Sequence, residues 1–122
     1  MRKVKIEDLR KGDLIIVNWI DASNEKARLE EHETSPELHV KDWGLFLGIS
    51  GRKHQFIIVG KDVTEAKNAW GATRIPLELV SEVILWIPRE QVALLIDEVR
   101  TIGRRFRLRR HRREDYYIVR VA

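Results

Sequence analysis

Hydrophobic and polar residues alternate over short stretches in the first two thirds of the chain, which is the pattern of β-strands. The run LIIVNWI (14–20) follows a Gly12-Asp13 turn and is apolar on both faces, which predicts a well-covered central strand. The segment DWGLFLGISGRKHQFIIVGKDV (42–63) is typical of a β-hairpin with SGRK (50–53) as its turn. The pattern therefore predicts a mainly β fold.

Two further strands are predicted, near Ala72–Ile75 and over Glu82–Ile87, with a single helical turn between them. Gly44 and Gly48 lie within the predicted hairpin, where glycine allows a sheet to bend sharply or another backbone to approach closely. Four or five short strands with Gly and Pro between them predict a small, strongly bent barrel over residues 1–87.

The hydrophobic period changes after Ile87. Apolar residues then recur at helical spacing, which predicts a helix from Pro88 with one apolar stripe, ended by Gly103. The stripe consists of Val92, Leu95, Ile96, Val99 and Ile102. This helix must pack on the barrel or on a partner, because an isolated apolar stripe is not stable in water.

A second β-hairpin is predicted after Gly103. RRFRLRR (104–110) and YYIVRVA (116–122) form its strands, and HRRED (111–115) forms its turn. Phe106 and Leu108 alternate with arginines, so we expect one apolar face, packed on the helix, and one basic face. Residues 88–122 are accordingly interpreted as a helix-and-hairpin appendage to the barrel.

Charge is unevenly distributed along the chain. The net charge is +4, but residues 88–122 contain ten Arg and five Asp or Glu, a net of +5. The stretch 21–42, a long polar excursion from the barrel, contains seven Asp or Glu and three Lys or Arg, a net of −4. Such asymmetry indicates a polyanionic partner or an acidic surface near the basic segment.

The arginine cluster is the main candidate site. Guanidinium groups make bidentate contacts with phosphates, and a two-stranded ribbon can lie along a duplex groove. The predicted phosphate contacts are Arg104, Arg105, Arg107, Arg109, Arg110, Arg112 and Arg113. We therefore predict sequence-nonspecific binding of DNA or RNA. The alternative is a protein-interaction or oligomeric assembly module, in which these arginines pair with an acidic surface such as the 21–42 stretch.

Tryptophan supplies a second, weaker signal. Trp19, Trp43 and Trp86 lie within strand patterns and are predicted to be in the core. Trp70 lies in the polar sequence NAWGATR, which is interpreted as a loop. There it is a candidate to stack on a base or to fill a partner's pocket, or else to fold back over the barrel.

Composition excludes several functions. Cysteine is absent, which rules out disulfides, thiolate zinc sites and cysteine nucleophiles and fits a cytoplasmic protein. No apolar run approaches the length of a membrane span, so no membrane association is expected. Neither metal-ligand spacing nor a catalytic triad or phosphate loop is evident, so we predict no enzyme activity, cofactor or metal. The four histidines, at positions His32, His39, His54 and His111, show no metal-ligand spacing.

Residues 15–85 resemble the SH3-like and Sm-like small barrels in their order of turn, strand and bent hairpin. RIPLELVSEVILW (74–86) fits the proline, helical turn and final strand that close such a barrel. VNWIDAS (17–23), VKDWGLFLGISGRKHQFIIV (40–59) and ATRIPLELVSEVI (72–84) are similar to a group of phage and prophage proteins. Sm proteins form RNA-binding rings, but NWIDASNEK and AWGATR depart from their RNA-binding motifs. The resemblance thus implies the barrel and not that RNA site.

Overall fold

Eight strands form one antiparallel sheet in the computed structural model. The structure describes residues 1–21, 38–64 and 69–100 in full, and the backbone of 101, 106–112 and 115–120. The strands are β1 Arg2–Val4, β2 Leu14–Asp21, β3 Leu38–Ser50, β4 Phe56–Thr64, β5 Ala69–Pro76, β6 Val80–Ile87, β7 Phe106–Arg112 and β8 Asp115–Arg120. Helical segments are the α-helix α1 Arg89–Val92 and 3-10 helices at Ile6–Asp8, Leu77–Leu79 and Asp97–Thr101.

The strand order is β1-β6-β2-β3-β4-β5-β8-β7. Strands β2 to β5 follow one another as a meander, and β6 then returns to pair with β2, for example Ile16 with Ile84. The hairpin β7–β8 joins the opposite side, beside β5. The order is open, with β1 and β7 as its edges.

The sheet buries apolar side chains on both faces, in two separate clusters. The first consists of Ile15, Val17, Phe46, Ile57, Val59, Ile75 and Val83. The second consists of Leu45, Leu47, Ile58, Trp70, Ala72, Val92 and Val99. The second cluster thus includes residues of the segment after β6, which packs on the sheet rather than standing apart from it.

Strand β3 has a register shift beside the glycines of the hairpin. Leu47 is an extra residue in the ladder, because Phe46 pairs with Val59 and Gly48 with Ile58. At Gly44 a β-carbon would lie 2.3 Å from the carbonyl oxygen of Gly60, so only glycine fits this close approach of two strands. The expected role of glycine in this hairpin is therefore confirmed at Gly44.

The predicted mainly β fold and the 42–63 hairpin are confirmed, and β3 extends back to Leu38 within the polar stretch. The N-terminal strand β1 was not predicted. The continuous helix predicted to reach Ile102 is not present, because α1 ends at Val92 and a turn precedes the 3-10 helix Asp97–Thr101. Ile102 lies outside the described residues.

The break in the helix coincides with an exposed apolar turn. Val92 and Val99 are both buried in the second cluster, whereas Leu94 and Leu95 in the turn between them are exposed. The two valines lie in separate short helical pieces, one on each side of this turn. The predicted apolar stripe is therefore only partly buried.

Candidate nucleic-acid interface

The basic segment forms the predicted hairpin. Its backbone pairs β7 with β8 from Phe106↔Arg120 to Arg112↔Asp115, with an irregularity between Arg110 and Arg112. Four candidate arginines, Arg107, Arg109, Arg110 and Arg112, belong to β7. Arg104, Arg105 and Arg113 lie outside the described residues. The strand pattern of the candidate site is thus confirmed for the backbone of its central part.

Strand β8 attaches the hairpin to the main sheet. It pairs with the start of β5 at Ala69↔Tyr117, Trp70↔Tyr116 and Gly71↔Asp115. Among the described strands β7 pairs with β8 alone, so the arginine-bearing strand is a sheet edge. An edge strand has backbone N–H and C=O groups without a ladder partner on its outer side. The arginine strand therefore lies where a partner has lateral access to it.

The interpretation of Trp70 as a loop residue is wrong. Trp70 belongs to β5, is 2% exposed and packs in the second cluster with Leu47 and Ile58. A fully covered indole ring offers no face to a base. The alternation that identifies this strand continues back from Ala72, and the polar neighbours of Trp70 obscured it in the sequence. Its role is in the core, directly beside the attachment of β8.

Two tryptophans predicted to be in the core are exposed instead. Trp43 is 57% exposed on β3 and Trp86 is 42% exposed on β6. Trp19 is partly buried against the first cluster. Sequence alternation assigns residues to a face, but it does not show how much of that face a later segment covers. These two exposed rings are features that the sequence analysis missed.

A buried carboxylate fixes the segment that leads from the main sheet to the hairpin. Asp13 is the single charged residue buried among the described side chains. Its Oδ2 accepts a hydrogen bond of 2.8 Å from the backbone N–H of Arg10, and its Oδ1 accepts one of 2.8 Å from the backbone N–H of Arg89. The Arg89 side chain donates in turn to the carbonyl oxygen of Lys11 at 3.0 Å. These bonds hold the start of α1 against the turn before β2.

Ion pairs neutralise several cations of the main sheet. Arg10 binds both carboxylate oxygens of Glu90, and this hydrogen-bonded contact lowers the pKa of Glu90 to about 2. Lys3 lies 2.9 Å from Glu82, and its hydrogen bond, followed by that of Asn18, lowers the pKa of Glu82. Each of these cations therefore has an acidic partner, in contrast with the uninterrupted basic sequence from Arg104 to Arg113.

Only the two ends of the acidic stretch 21–42 lie within the described residues. Asp21 ends β2, and Leu38 to Asp42 begin β3. Residues 22–37, which contain most of its acids, lie outside the described residues. Pairing between this stretch and the arginine hairpin stays a prediction.

The described residues contain neither a metal-ligand cluster nor a membrane-spanning helix. No three His, Asp or Glu side chains group there in a way that could hold a metal ion. No helix in the same part of the chain is long and apolar enough to cross a membrane. Comparison with protein-family models, with curated proteins and with solved structures gives no match to this chain.

Proposed function

We propose that the protein is a non-catalytic nucleic-acid-binding protein that contacts phosphates through the β7–β8 hairpin. The observation that carries this proposal is the run of arginines on a sheet-edge strand, with no acidic residue between Arg104 and Arg113. A solvated surface needs no such run, because isolated surface ion pairs contribute only about 0–1 kcal/mol each. Bidentate phosphate binding is the chemistry for which arginine is best suited.

Charge distribution supports the same partner. Outside residues 88–122 the chain has a net charge of −1, and cations such as Arg10, Lys3 and Lys61 are paired with carboxylates. The unbalanced positive charge therefore belongs to the hairpin segment. Binding through phosphates alone is insensitive to base sequence, so we expect comparable affinity for unrelated sequences at the same salt concentration.

We further propose that β2 to β6 form a small SH3-like or Sm-like barrel to which the hairpin is attached, related to the phage and prophage group. The support is the order β6-β2-β3-β4-β5, in which β6, the last of these strands in sequence, pairs with β2, the first. The 3-10 helix Leu77–Leu79 immediately before β6 is further support. Strongly bent strands with glycine at close approaches, as at Gly44, are what such closure requires. An experimental structure of the full chain tests this. A structure in which β5 and β6 diverge beyond the Leu77–Leu79 connection, so that the sheet encloses no interior, would contradict it.

The binding proposal is tested by a low-salt titration of fluorescent single-stranded and duplex probes of mixed sequence. The test variant replaces Arg107, Arg109, Arg110 and Arg112 with glutamine. The matched control removes four exposed positive charges from the rest of the chain by replacing Arg2, Lys5, Arg52 and Lys53 with glutamine. We expect the hairpin variant to lose binding and the control to retain most of it. Equal losses in the two variants would show only a general charge effect and contradict the proposal.

One observation favours a second candidate function. The exposed Trp43 and Trp86 indicate a protein-contact surface, so the chain is also a candidate interaction or assembly module. In that function the arginine hairpin pairs with an acidic protein surface, and salt weakens the assembly while nucleic-acid probes do not bind. We propose a cytoplasmic location for either function, which cell fractionation tests.

A further inference from the structure

One face of the sheet is only partly covered. At the start of β2, Leu14 pairs with Leu45. Leu45 belongs to the cluster that contains Val92 and Val99 of the segment after β6, and Leu14 packs against that cluster. Two residues further along the same face, Ile16 pairs with Trp43, and here the ring is 57% exposed. The segment after β6 therefore covers one row of side chains on the sheet and leaves the next row exposed to solvent.

The open row crosses four strands. Trp43 on β3 pairs with Ile16 on β2, Ile16 pairs with Ile84 on β6, and Ile84 pairs with Lys3 on β1. Trp86, 42% exposed, lies two residues beyond Ile84 on the same strand. We call Trp43, Ile16, Ile84 and Trp86 the tryptophan face. Tryptophan is the residue most enriched among those that dominate binding energy at protein interfaces.

The rim of the tryptophan face is balanced in charge. On one side Lys61 lies over the Trp43 ring, 5.6 Å from its centroid, and is hydrogen-bonded to Asp42. On the other side Lys3 is paired with Glu82 at 2.9 Å. A polyanion would meet an acid beside each cation here. An apolar centre with a balanced polar rim is instead the composition of a protein–protein interface.

We propose that a second copy of this chain covers the tryptophan face. Across the strands the row is Trp43, Ile16, Ile84, Lys3. If a second copy of the row lies over it in the opposite direction, each side chain faces a compatible side chain. A two-fold axis parallel to the strands, between Ile16 and Ile84, brings each tryptophan against the lysine of the second copy. Isoleucine then meets isoleucine at the centre, and the cation faces an aromatic ring, a favourable contact. Such a self-complementary patch is what a two-fold dimer requires.

This dimer is independent of the proposed nucleic-acid binding. The tryptophan face lies on β3, β2 and β6, whereas the arginine strand β7 lies beyond β5 at the far edge of the sheet. The two properties also respond oppositely to salt. Each chain has a net charge of +4, so salt screens repulsion between two copies and strengthens an apolar dimer, while it weakens phosphate contacts.

Sedimentation equilibrium of the full chain over a range of concentrations tests the inference, at low and at high salt. We expect a reversible monomer–dimer equilibrium whose dissociation constant does not rise with salt. Trp43→Ala is expected to raise that constant about 1,000-fold, the equivalent of about 2 kcal/mol for each of the two rings that a two-fold dimer loses. Trp43→Glu and Lys3→Glu are expected to give monomers, and Lys3→Arg to retain the dimer because it retains the cation.

The matched control is Leu95→Glu, which introduces the same charge at a leucine that is 85% exposed on the turn after α1. This variant should dimerise like the unmodified chain. A chain that is monomeric at all concentrations contradicts the inference, as does a Trp43→Glu variant that dimerises normally. So does a monomer whose probe affinity falls in Trp43→Glu, because the face would then bind nucleic acid.

Discussion

The carboxylate of Asp13 and the backbone N–H of Arg89 are joined by a hydrogen bond of 2.8 Å across 76 positions of sequence. Asp13 ends the turn that leads into β2, and Arg89 is the first residue of α1. The first residues of a helix have N–H groups without an intrahelical acceptor, and this buried carboxylate supplies one. The contact fixes the position of the segment that leads to the arginine hairpin.

Replacing Asp13 with alanine is therefore expected to destabilise the protein strongly. The substitution leaves the N–H groups of Arg10 and Arg89 buried without their acceptor, at a cost of about 3 kcal/mol. Asp13→Asn retains one acceptor oxygen and should cost about half as much. Urea denaturation measures both free energies of unfolding. An alanine variant as stable as the original chain would show that water replaces this carboxylate at no cost.

Close packing of β3 against β4 gives a second prediction. A methyl group at Gly44 would lie 2.3 Å from the carbonyl oxygen of Gly60, whereas one at Gly60 would meet the Leu47 side chain at 3.0 Å. A backbone carbonyl within a sheet cannot move without breaking the ladder, but a side chain can adjust its torsions. Gly44→Ala should thus cost about 3 kcal/mol and Gly60→Ala about 1 kcal/mol. The same urea experiment measures both, and equal losses would contradict the described approach of the two strands.

The ion pair between Arg10 and Glu90 predicts a change in stability with acid. The hydrogen bonds from the Arg10 guanidinium lower the pKa of Glu90 from 4.5 to about 2. A lowered carboxylate pKa means that the pair stabilises the folded chain above pH 4.5, and that this contribution is lost as the pH falls from about 4.5 to about 2. Glu90→Gln should remove this component of the acid dependence.

Thermal unfolding over a pH series measures that component. Arg10→Gln should remove the same component together with the contact of 3.8 Å between Arg10 and Asp13, so the double variant should show no loss beyond that of Arg10→Gln. The effect is small, since both side chains are exposed and solvent screens the pair. Additive losses in the double variant would mean that each residue acts through other contacts.

Trp70 provides a test that separates core packing from binding. Its ring is buried and its indole N–H has no hydrogen-bond acceptor among the described side chains, so Trp70→Phe is expected to lose volume without losing a hydrogen bond. We expect a loss of about 1–3 kcal/mol in the free energy of unfolding, as for other reductions of core side chains. Probe affinity should stay unchanged at temperatures where the variant is folded. A selective loss of affinity would restore the base-stacking role that its burial excludes.

The strands could be predicted from the sequence, but the exposed faces of the sheet could not. Alternation in 42–63 and the apolar run from Leu14 identified central strands, because period-two patterns reflect backbone geometry directly. Trp43 was predicted to be in the core and is exposed, whereas Trp70 was interpreted as a loop residue and is buried. Exposure depends on what packs over a face of the sheet. That cover includes Val92 and Val99, which lie in two short helical pieces and not in the one continuous helix that was predicted. The role of Asp13 was likewise hidden, because its partner is distant in sequence.

The most direct test of the central claim is the salt dependence of nucleic-acid affinity. If six arginines of the hairpin segment contact phosphates, the logarithm of the association constant should fall with that of salt concentration with a slope of roughly −5 on duplex DNA. The variant with Arg107, Arg109, Arg110 and Arg112 replaced by glutamine should lose about four phosphate contacts and most of that slope. The control lacking the charges of Arg2, Lys5, Arg52 and Lys53 should retain it. No measurable binding at low salt, or the same slope in the hairpin variant, would contradict the account.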